Sequence, residues 1–580
     1  MNSLDVAIVR NFRIALKPSY YDPRLPKVMG EVPGRVWNKE RKFWSVPISS
    51  IPKLAEKLLR EKVWNDQDIE IIKNLVNQVT DYKSIDIDMI KLESEYQLRP
   101  YQQDSLRFAI NRGSALLALD MALGKSVCSL AYVKYLLKAQ KVEKALIVVP
   151  VSVIWHWFRE GKKFFDDKLD LAVVGIKFDK DGNPKKITKT ERLQQLIEPH
   201  DGYILNYEKI MDITENPVVS TYWDQNHKFA IIADEVTRVK SWNAKRTRAL
   251  KSLPASYRIG LSGRPIENNV LEFYTILDWI WPNCLGSWGQ FRREFTIQNN
   301  WGKITGSREN NTLREISKYI AIQYSRYEVL KDLPPLIRNQ YDVEFSPEEE
   351  KNYQKIADSI EDAIDALSND ETKKGMMSVL SLLQISRMFC DHPILVMDSK
   401  SPTAKQVDII CNTSSKLDEF KIIVNEIYAR NEKIVVFSQF KKMVDIIERH
   451  ISMSYPLHKI YKSVGGQSAT KKQDIIDAFN ADKNPSMFLS TDSAALGVEL
   501  QTSSYIINYD LPWNPAILEQ RISRLHRPGQ KSPVTVINMV VEGADKVEQR
   551  VLEIIAKKNK LYQDILGEDH VSLETAEDLV

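Results

Sequence analysis

From residue 98 onward the chain is built of short apolar runs separated by segments of helical periodicity. Ala145–Val149, Tyr203–Leu205, Phe229–Ala233 and Tyr257–Leu261 lack strict alternation, the pattern of parallel strands covered on both faces. A second set follows at Ile434–Phe437, Met487–Ser490, Tyr505–Tyr509 and Val534–Val541. Between the two sets, residues 347–390 are rich in Glu, Lys, Leu, Met and Ala with few breakers, which predicts long helices. The N-terminal stretch differs. Arg35–Trp44 alternates about a polar centre and runs on to Val46-Pro47, which predicts a hairpin, and Ile51, Leu54, Leu58 and Leu59 fall at helical spacing within 50–62. The expected fold is α/β: two doubly wound lobes with a helical insertion and a small α+β N-terminal module. The boundaries expected are 1–64 for the module, 65–97 for a connector, 98–285 for the first lobe, 286–412 for the insertion and 413–580 for the second lobe.

Charge sharpens the N-terminal division. Residues 1–62 carry 13 Lys/Arg against 6 Asp/Glu, and residues 63–97 carry 3 against 8, so a basic module precedes an acidic connector. Over all 580 residues the net charge is only +4, too small to announce a nucleic-acid partner by itself. Apolar residues at 43% and charged residues at 27% describe a globular chain and exclude disorder. Four scattered cysteines with no Cys-x-x-Cys pair exclude a disulfide framework and leave zinc unexpected, Cys390 and His392 reading as a packed turn before Pro393. The longest apolar stretch, Ala145–Trp155, is far short of the roughly 18 residues a bilayer demands, and Asp5 and Arg10 interrupt any signal-type core. No membrane association is expected, and the chain is expected to be cytoplasmic, or nuclear in a eukaryote.

Three groups of residues carry candidate chemistry. Leu119–Ser126 joins an apolar stretch to a helical one and ends Gly124-Lys125-Ser126. A glycine at a helix start turns backbone N–H groups towards a phosphate, Lys125 reaches the outer phosphates and Ser126 ligates Mg²⁺. Phe229–Ala233 ends in Asp234 and Glu235, at the strand edge where open α/β sheets bind ligands. There Asp234 holds Mg²⁺ through water and Glu235 deprotonates the attacking water. In the second lobe, Asn514 and Pro515 begin a helix that Pro528-Gly529 ends, and Gln520, Arg524 and Arg527 stand at i, i+4 and i+7 within it. Two guanidinium groups on one helix face suit the charge that builds on a γ-phosphate during transfer.

Taken together these residues show a family likeness. The sequence resembles the Swi/Snf-type ATPases, helicase-like DNA translocases of superfamily two, over residues 98–566. Leu98-Arg-Pro-Tyr-Gln102 is similar to the Q motif, Asp120–Ser126 to motif I, and Val149-Pro-Val-Ser152 with Trp157 and Glu160 to motif Ia. Asp234–Thr237 stands at motif II, Leu261–Asn268 at motif III, Val436–Phe440 at motif IV, Ser490–Asp492 with Gly497 at motif V, and Gln520–Gln530 at motif VI. Tyr509–Pro515 is a further signature of this branch.

The resemblance implies two RecA-like lobes, ATP and Mg²⁺ as cofactors, and duplex or forked DNA as partner. It makes Gln102 the adenine reader and adds Arg99, Ala122, Leu123 and Gly497 to the nucleotide-binding positions, with Ser152 and Trp513 facing nucleic acid. Several positions depart from the family pattern: Ala122 replaces a glycine, Val236-Thr237 replace Ala-His, Arg264 replaces a threonine and Glu499 an asparagine, while Ser325–Glu328 keeps only Arg326 of a basic brace.

Pro33–Trp37 and Phe43–Pro47 resemble the HARP-type module of annealing helicases. Arg35, Lys39, Arg41 and Lys42 are then phosphate contacts, and Trp37 and Trp44 either stack bases or anchor a small core. The leading expectation is a DNA-dependent ATPase that moves on duplex DNA and remodels or anneals forked or recombination intermediates. A strand-separating RNA or DNA helicase and a catalytically silent nucleic-acid clamp are the alternatives.

Overall fold

The computed structural model describes residues 4–566 except 10–12, 19–21, 33, 48–49, 62–69, 71–73, 75–80, 91, 93–95, 166–167, 179–183, 226–227, 300–301, 303, 309, 370–372, 401, 412, 468, 493–497 and 544–545. The described residues divide into two compact units, one of residues up to 329 together with 561–566, the other of residues 330–560.

The first unit opens with a four-stranded antiparallel sheet of β1 (Leu4–Val9), β2 (Arg13–Pro18), β3 (Val36–Asn38) and β4 (Phe43–Pro47) in the order β1-β2-β4-β3. Helices α1 (Leu25–Gly30) and α2 (Ile51–Arg60) accompany it, and Ile14, Leu16, Leu25, Met29, Val46, Leu54 and Leu58 bury a shared core. The hairpin and helix expected from the pattern are both present.

After helix α3 (Pro100–Arg112) the strands β5 (Ala115–Leu119), β6 (Lys144–Val149), β7 (Leu171–Val173), β8 (Gly202–Asn206), β9 (Phe229–Asp234), β10 (Tyr257–Leu261) and β11 (Ala321–Tyr324) form a sheet ordered β11-β5-β10-β9-β6-β8-β7. Every pairing in it is parallel. Helix α4 (Lys125–Lys138) follows β5 and helix α5 (Ile154–Phe165) follows β6.

The second unit contains β12 (Leu336–Val343), β13 (Ile434–Phe437), β14 (Lys459–Ser463), β15 (Ser486–Ser490), β16 (Tyr505–Asn508) and β17 (Val534–Val541), ordered β12-β17-β16-β13-β15-β14 and again parallel throughout. Ile434 and Val436 join one apolar cluster with Phe420, Val444 and Ile447, whereas Val435 and Phe437 join another with Phe479, Ile522 and Val551. Alternate residues of β13 therefore enter two cores, which is why the strand shows no apolar alternation. The fold is α/β with two parallel sheets.

Residues 286–412 are not uniformly helical. The long helices α6 (Pro347–Asn369) and α7 (Lys373–Asp391) lie where the breaker-poor stretch predicts them, but β11 returns to the first sheet and β12 begins the second. Beyond them, α8 (Ser415–Ala429) places Lys416 at 2.6 Å from Glu548 and 3.3 Å from Asp391, all three buried, and Glu548 accepts the Val541 N–H at 2.8 Å. This ionic cluster ties the final helix, Val547–Leu566, to the end of β17. Cys390 is a buried thiol in an apolar cluster, and His392 Nδ1 accepts the Ile394 N–H at 3.2 Å, forming the packed turn expected there. No described helix is long and apolar enough to cross a membrane.

Candidate functional site

Strand β5 runs into a loop whose backbone is set by two left-handed residues, Ala122 at φ +66° and Gly124 at φ +75°. Gly124 caps α4 in a left-handed conformation, and a Cβ there would overlap Gln102 Nε2 and approach Val127 Cγ1 to 3.0 Å, so glycine avoids both the strain and the crowding. Ala122 bears the steric cost that glycine avoids, which gives the family's glycine at this position a physical reason. The loop is braced from α3: Gln102 Nε2 donates to Leu123 O at 3.0 Å, while Gln102 Oε1 accepts the Arg99 N–H at 2.9 Å. Both ends of the carboxamide are thus engaged by the chain, so Gln102 shapes the loop directly. Lys125 Nζ lies 2.9 Å from Leu119 O and 3.2 Å from Asp120 O, inside the turn it closes.

On β9, one strand beyond β10, Asp234 and Glu235 stand at the carboxyl end of the same sheet. Glu235 adopts φ +48° and ψ +55°, a left-handed conformation unusual for a non-glycine residue, and its N–H donates to Asp234 Oδ1 at 2.9 Å. Trp157 Nε1 donates to Asp234 Oδ2 at 2.8 Å, and Tyr207 Oη donates to Asp234 O at 2.6 Å. Burial pushes the Tyr207 phenol well above its ordinary pKa, and the carboxylates of Asp234 and Glu235 add to the rise. Ser126 Oγ lies 3.3 Å from Glu160 Oε2. Trp157 and Glu160 sit three residues apart on α5, so one helix face reaches both the acidic strand end and the phosphate-loop serine.

Ser126 and Asp234 supply a hydroxyl and a carboxylate, hard oxygen donors that fit Mg²⁺. Among the described residues no group of three or more His, Cys, Asp or Glu converges on a metal position. Such a donor set suits an ion that completes its shell with water and substrate phosphate.

Motif III lies between these two groups, beginning at Leu261, the last residue of β10. Ser262 Oγ accepts the Arg264 N–H at 3.1 Å, the Arg264 guanidinium lies over the Tyr562 ring at 5.2 Å, and Tyr562 Oη donates to Gly263 O at 3.2 Å. Arg264, a departure from the family pattern, thereby gains a partner nearly 300 residues away in sequence. Arg326 follows β11, and its N–H donates to Asp120 Oδ2 at 3.1 Å beside the phosphate loop. Val236 is wholly buried and Thr237 nearly so.

The second unit brings a correction. Helix α9 (Pro515–Ile522) ends before Arg524, and residues 523–529 continue as turns, so Gln520, Arg524 and Arg527 do not share a helical face. Past the helix end, Arg524 N reaches only to Arg521 O, three residues back, as the chain tightens. Arg527 Nη2 pairs with Glu499 at 2.7 Å, and Arg524 is buried.

Arg521, which spacing did not single out, is the buried centre of this region. It bonds Asp492 at 2.6 and 3.0 Å, Asn508 Oδ1 at 3.1 Å and Asp510 O at 2.7 Å. Burial opposes its charge, yet Asp492 and Asp510 hold its pKa above the ordinary value. Trp513 is half-buried, with the Arg387 guanidinium 5.1 Å from its ring. Gly497 lies outside the described residues.

Ser152 is exposed in the short turn Val151–Val153. Lys39, Arg41 and Lys42 are exposed in the β3–β4 turn, and Arg35 Nη1 donates to Val32 O at 3.4 Å. The two tryptophans differ: Trp37 is 39% exposed, while Trp44 packs against the module's core, their rings 5.0 Å apart.

Residues 101–395 match the SNF2-related domain, and residues 416–529 match the helicase conserved C-terminal domain. The chain belongs to the SNF2-related family. Among SNF2-related relatives it is 24% identical over 506 residues to the putative ATP-dependent helicase/translocase YwqA of Bacillus subtilis, an alignment covering 86% of this chain and 52% of that protein. It is 28% identical over 508 residues to the DNA repair and recombination protein RDH54 of Saccharomyces cerevisiae, covering 79% of this chain and 52% of that one. The chain thus spans about half the length of the curated relatives it matches. Among solved structures, the Sulfolobus solfataricus SWI2/SNF2 ATPase core in complex with dsDNA is 25% identical, with 84% of this chain and 96% of that chain covered and a TM-score of 0.37.

Proposed function

We propose that this SNF2-related chain is a DNA-stimulated ATP hydrolase that translocates on duplex DNA and acts on forked or recombination intermediates. The observation that carries the reading is the placement of the phosphate loop and of Asp234-Glu235 on β5 and β9, flanking β10 at the carboxyl edge of one parallel sheet. Backbone N–H groups at the start of α4 and Lys125 bind the phosphates, while Gln102 holds the loop in shape. Ser126 and Asp234 hold Mg²⁺, which when bound neutralises charge on the phosphate oxygens. Glu235 orients the attacking water and takes its proton. Arg524 and Arg527 offset the charge that builds on the transferred phosphate, and Gln520 assists them from the helix that precedes them. Exposed Lys39, Arg41 and Lys42, with Arg35, bind DNA phosphates through a HARP-like module, and Ser152 and Trp513 add contacts. DNA binding is then largely independent of sequence and falls steeply with salt.

The test is ATP turnover by the full chain with single-stranded, duplex and forked DNA and with RNA compared side by side. Turnover raised most by duplex or forked DNA is expected, with displacement of a third strand as the readout of translocation. Greater stimulation by RNA, or efficient unwinding of a blunt duplex, overturns the assignment. Lys125→Ala should lose both turnover and nucleotide affinity. Glu235→Gln should lose turnover by roughly 10²–10⁴-fold yet keep ATP binding, because it removes a base and leaves the phosphate-binding groups in place. No turnover in the unaltered chain under any condition leaves a silent clamp as the correct reading.

A further inference from the structure

Helix α5 carries a carboxylate to which the proposed function gives no task. Glu160 is partly buried, and among the described residues it forms no ion pair, although Arg159, Lys162 and Lys163 lie beside it on the same helix. Lys163, three residues on, places its Nζ over the Tyr96 and Phe164 rings instead, at 4.7 and 5.1 Å. Among the described residues, the hydrogen bond of the Glu160 carboxylate goes to the phosphate loop, where Ser126 Oγ donates to Oε2 at 3.3 Å. A glutamate kept only for a solvated helix face would be free to pair with the cation one turn on.

Ser126 is the other half of the pair. It is 8% exposed, and among the described residues its hydroxyl has no second hydrogen-bond partner. A hydroxyl owns one proton and two lone pairs, so a proton committed to Glu160 leaves the lone pairs for a cation, whereas an uncommitted proton competes with it. The 3.3 Å separation is long for an O–H···O bond, and a hydroxyl polarised by a bound cation donates more strongly. Three residues before Glu160, Trp157 Nε1 donates to Asp234 Oδ2 at 2.8 Å. Ser126 and Asp234 are the two oxygen donors that fit Mg²⁺, and α5 meets each with the group that complements it, an acceptor for the hydroxyl and a donor for the carboxylate. Two such matches at i and i+3 give this helix face a task beyond packing.

We propose that Glu160 is a positioning residue for Mg²⁺, its carboxylate accepting the Ser126 hydroxyl proton so that Oγ keeps its lone pairs for the ion. The inference rests on the nucleotide-site reading above and deepens it, because it says how the phosphate-loop serine is prepared for a metal. Glu160 acts through Ser126 alone, and Glu235 remains the base.

The experiment measures binding of methylanthraniloyl-ADP to the full chain by fluorescence anisotropy, first in EDTA and then along a Mg²⁺ titration, so that no turnover is needed. In Glu160→Ala the Mg²⁺ concentration that gives half of the metal-dependent tightening should rise roughly 10- to 100-fold, the loss expected when the partner of a metal ligand is removed. Affinity in EDTA should stay that of the unaltered chain, which also reports an intact fold. Glu160→Gln should restore the metal response, because accepting the hydroxyl proton takes an oxygen and no charge. Adding Glu160→Ala to Ser126→Ala should cost nothing further, since the two residues act as one unit. An unchanged Mg²⁺ response in Glu160→Ala overturns the proposal. So does a Glu160→Gln variant as impaired as Glu160→Ala, an equal loss of affinity in EDTA, or additive losses in the double variant. The unaltered chain separates this inference from the function reading: if Mg²⁺ fails to tighten its nucleotide binding, the metal site itself falls, whereas tightening that Glu160→Ala shares in full sinks the positioning role alone.

Discussion

Asp234 receives two N–H donors, one from the Glu235 backbone and one from the Trp157 indole, leaving its carboxylate fixed in one orientation. A ligating carboxylate oriented by a neighbouring donor holds a metal more tightly than a free one. Trp157→Phe keeps an aromatic ring in the core but removes the donor to Oδ2. The Mg²⁺ concentration that half-saturates ATP turnover should then rise by roughly 10- to 100-fold, as measured by metal titration at saturating ATP. Wild-type metal dependence in this variant would reduce Trp157 to packing. Gln102 illustrates the same principle from the other side of the loop. The family likeness assigns it to adenine, yet both its polar atoms bind Arg99 N and Leu123 O, so its first effect is on loop shape.

Among the elements, α9 stops at Ile522, one residue after Arg521, whose side chain is fully buried. Its guanidinium is buried on Asp492, Asn508 and the Asp510 carbonyl, at the ends of β15 and β16, and the chain beyond it continues as turns, with Leu500 N–H donating to Arg524 O at 3.0 Å. Arg521→Met keeps much of the volume but strands two carboxylates against a neutral side chain. A loss of about 3–5 kcal/mol is expected from denaturant unfolding of this unit, against about 0.5–2 kcal/mol for removing the Asn514 cap that bonds Ala516 N–H at 2.9 Å. Similar losses for the two variants would deny Arg521 its central place. The strands that pattern reading did not name are also instructive. Leu171–Val173, Ala321–Tyr324, Leu336–Val343 and Lys459–Ser463 are the four edge strands of the two parallel sheets. Inner strands are covered on both faces and read as apolar runs, whereas two of the edges carry polar residues, Arg338, Asn339 and Gln340 in one and Lys462 in the other, and Leu171–Val173, though apolar and buried, is only three residues long.

Across the chain as a whole, pH and salt act through different groups. Burial drives the His392 imidazole down to about 4 from its ordinary 6.5, with repulsion from His450 adding to the shift. Between those values the unfolded chain takes up a proton that the folded chain does not, so stability is lost as pH falls from 6.5 towards 4. Thermal melting recorded at pH 7 and pH 5 should show a drop that His392→Asn reduces, and an unchanged drop in that variant would assign the effect to other groups. On the function proposed above, salt is expected to act at the N-terminal module. Replacing Arg35, Lys39, Arg41 and Lys42 with alanine should reduce the slope of log affinity against log salt by roughly 0.7–0.9 for each phosphate left unneutralised, and should weaken forked DNA more than plain duplex. Equal weakening on both substrates would make the module a nonspecific tether.

The inner strands of both sheets, the phosphate loop, the acidic strand end and the family are all legible in the order of residues, because each depends on a local run of side chains or on ordered motifs along the chain. Which side chains orient them is legible only once the elements have packed. Trp157 reaches Asp234 from α5, Tyr562 reaches Gly263 from the final helix, and Arg521 outranks Arg524 and Arg527 as the buried centre of motif VI. The same holds for Glu160, which meets Ser126 from 34 positions further along the chain. Spacing encodes neighbours within one helix or strand, whereas these partners meet only after separate elements pack, and the helix on which the spacing of Gln520, Arg524 and Arg527 relies ends at Ile522.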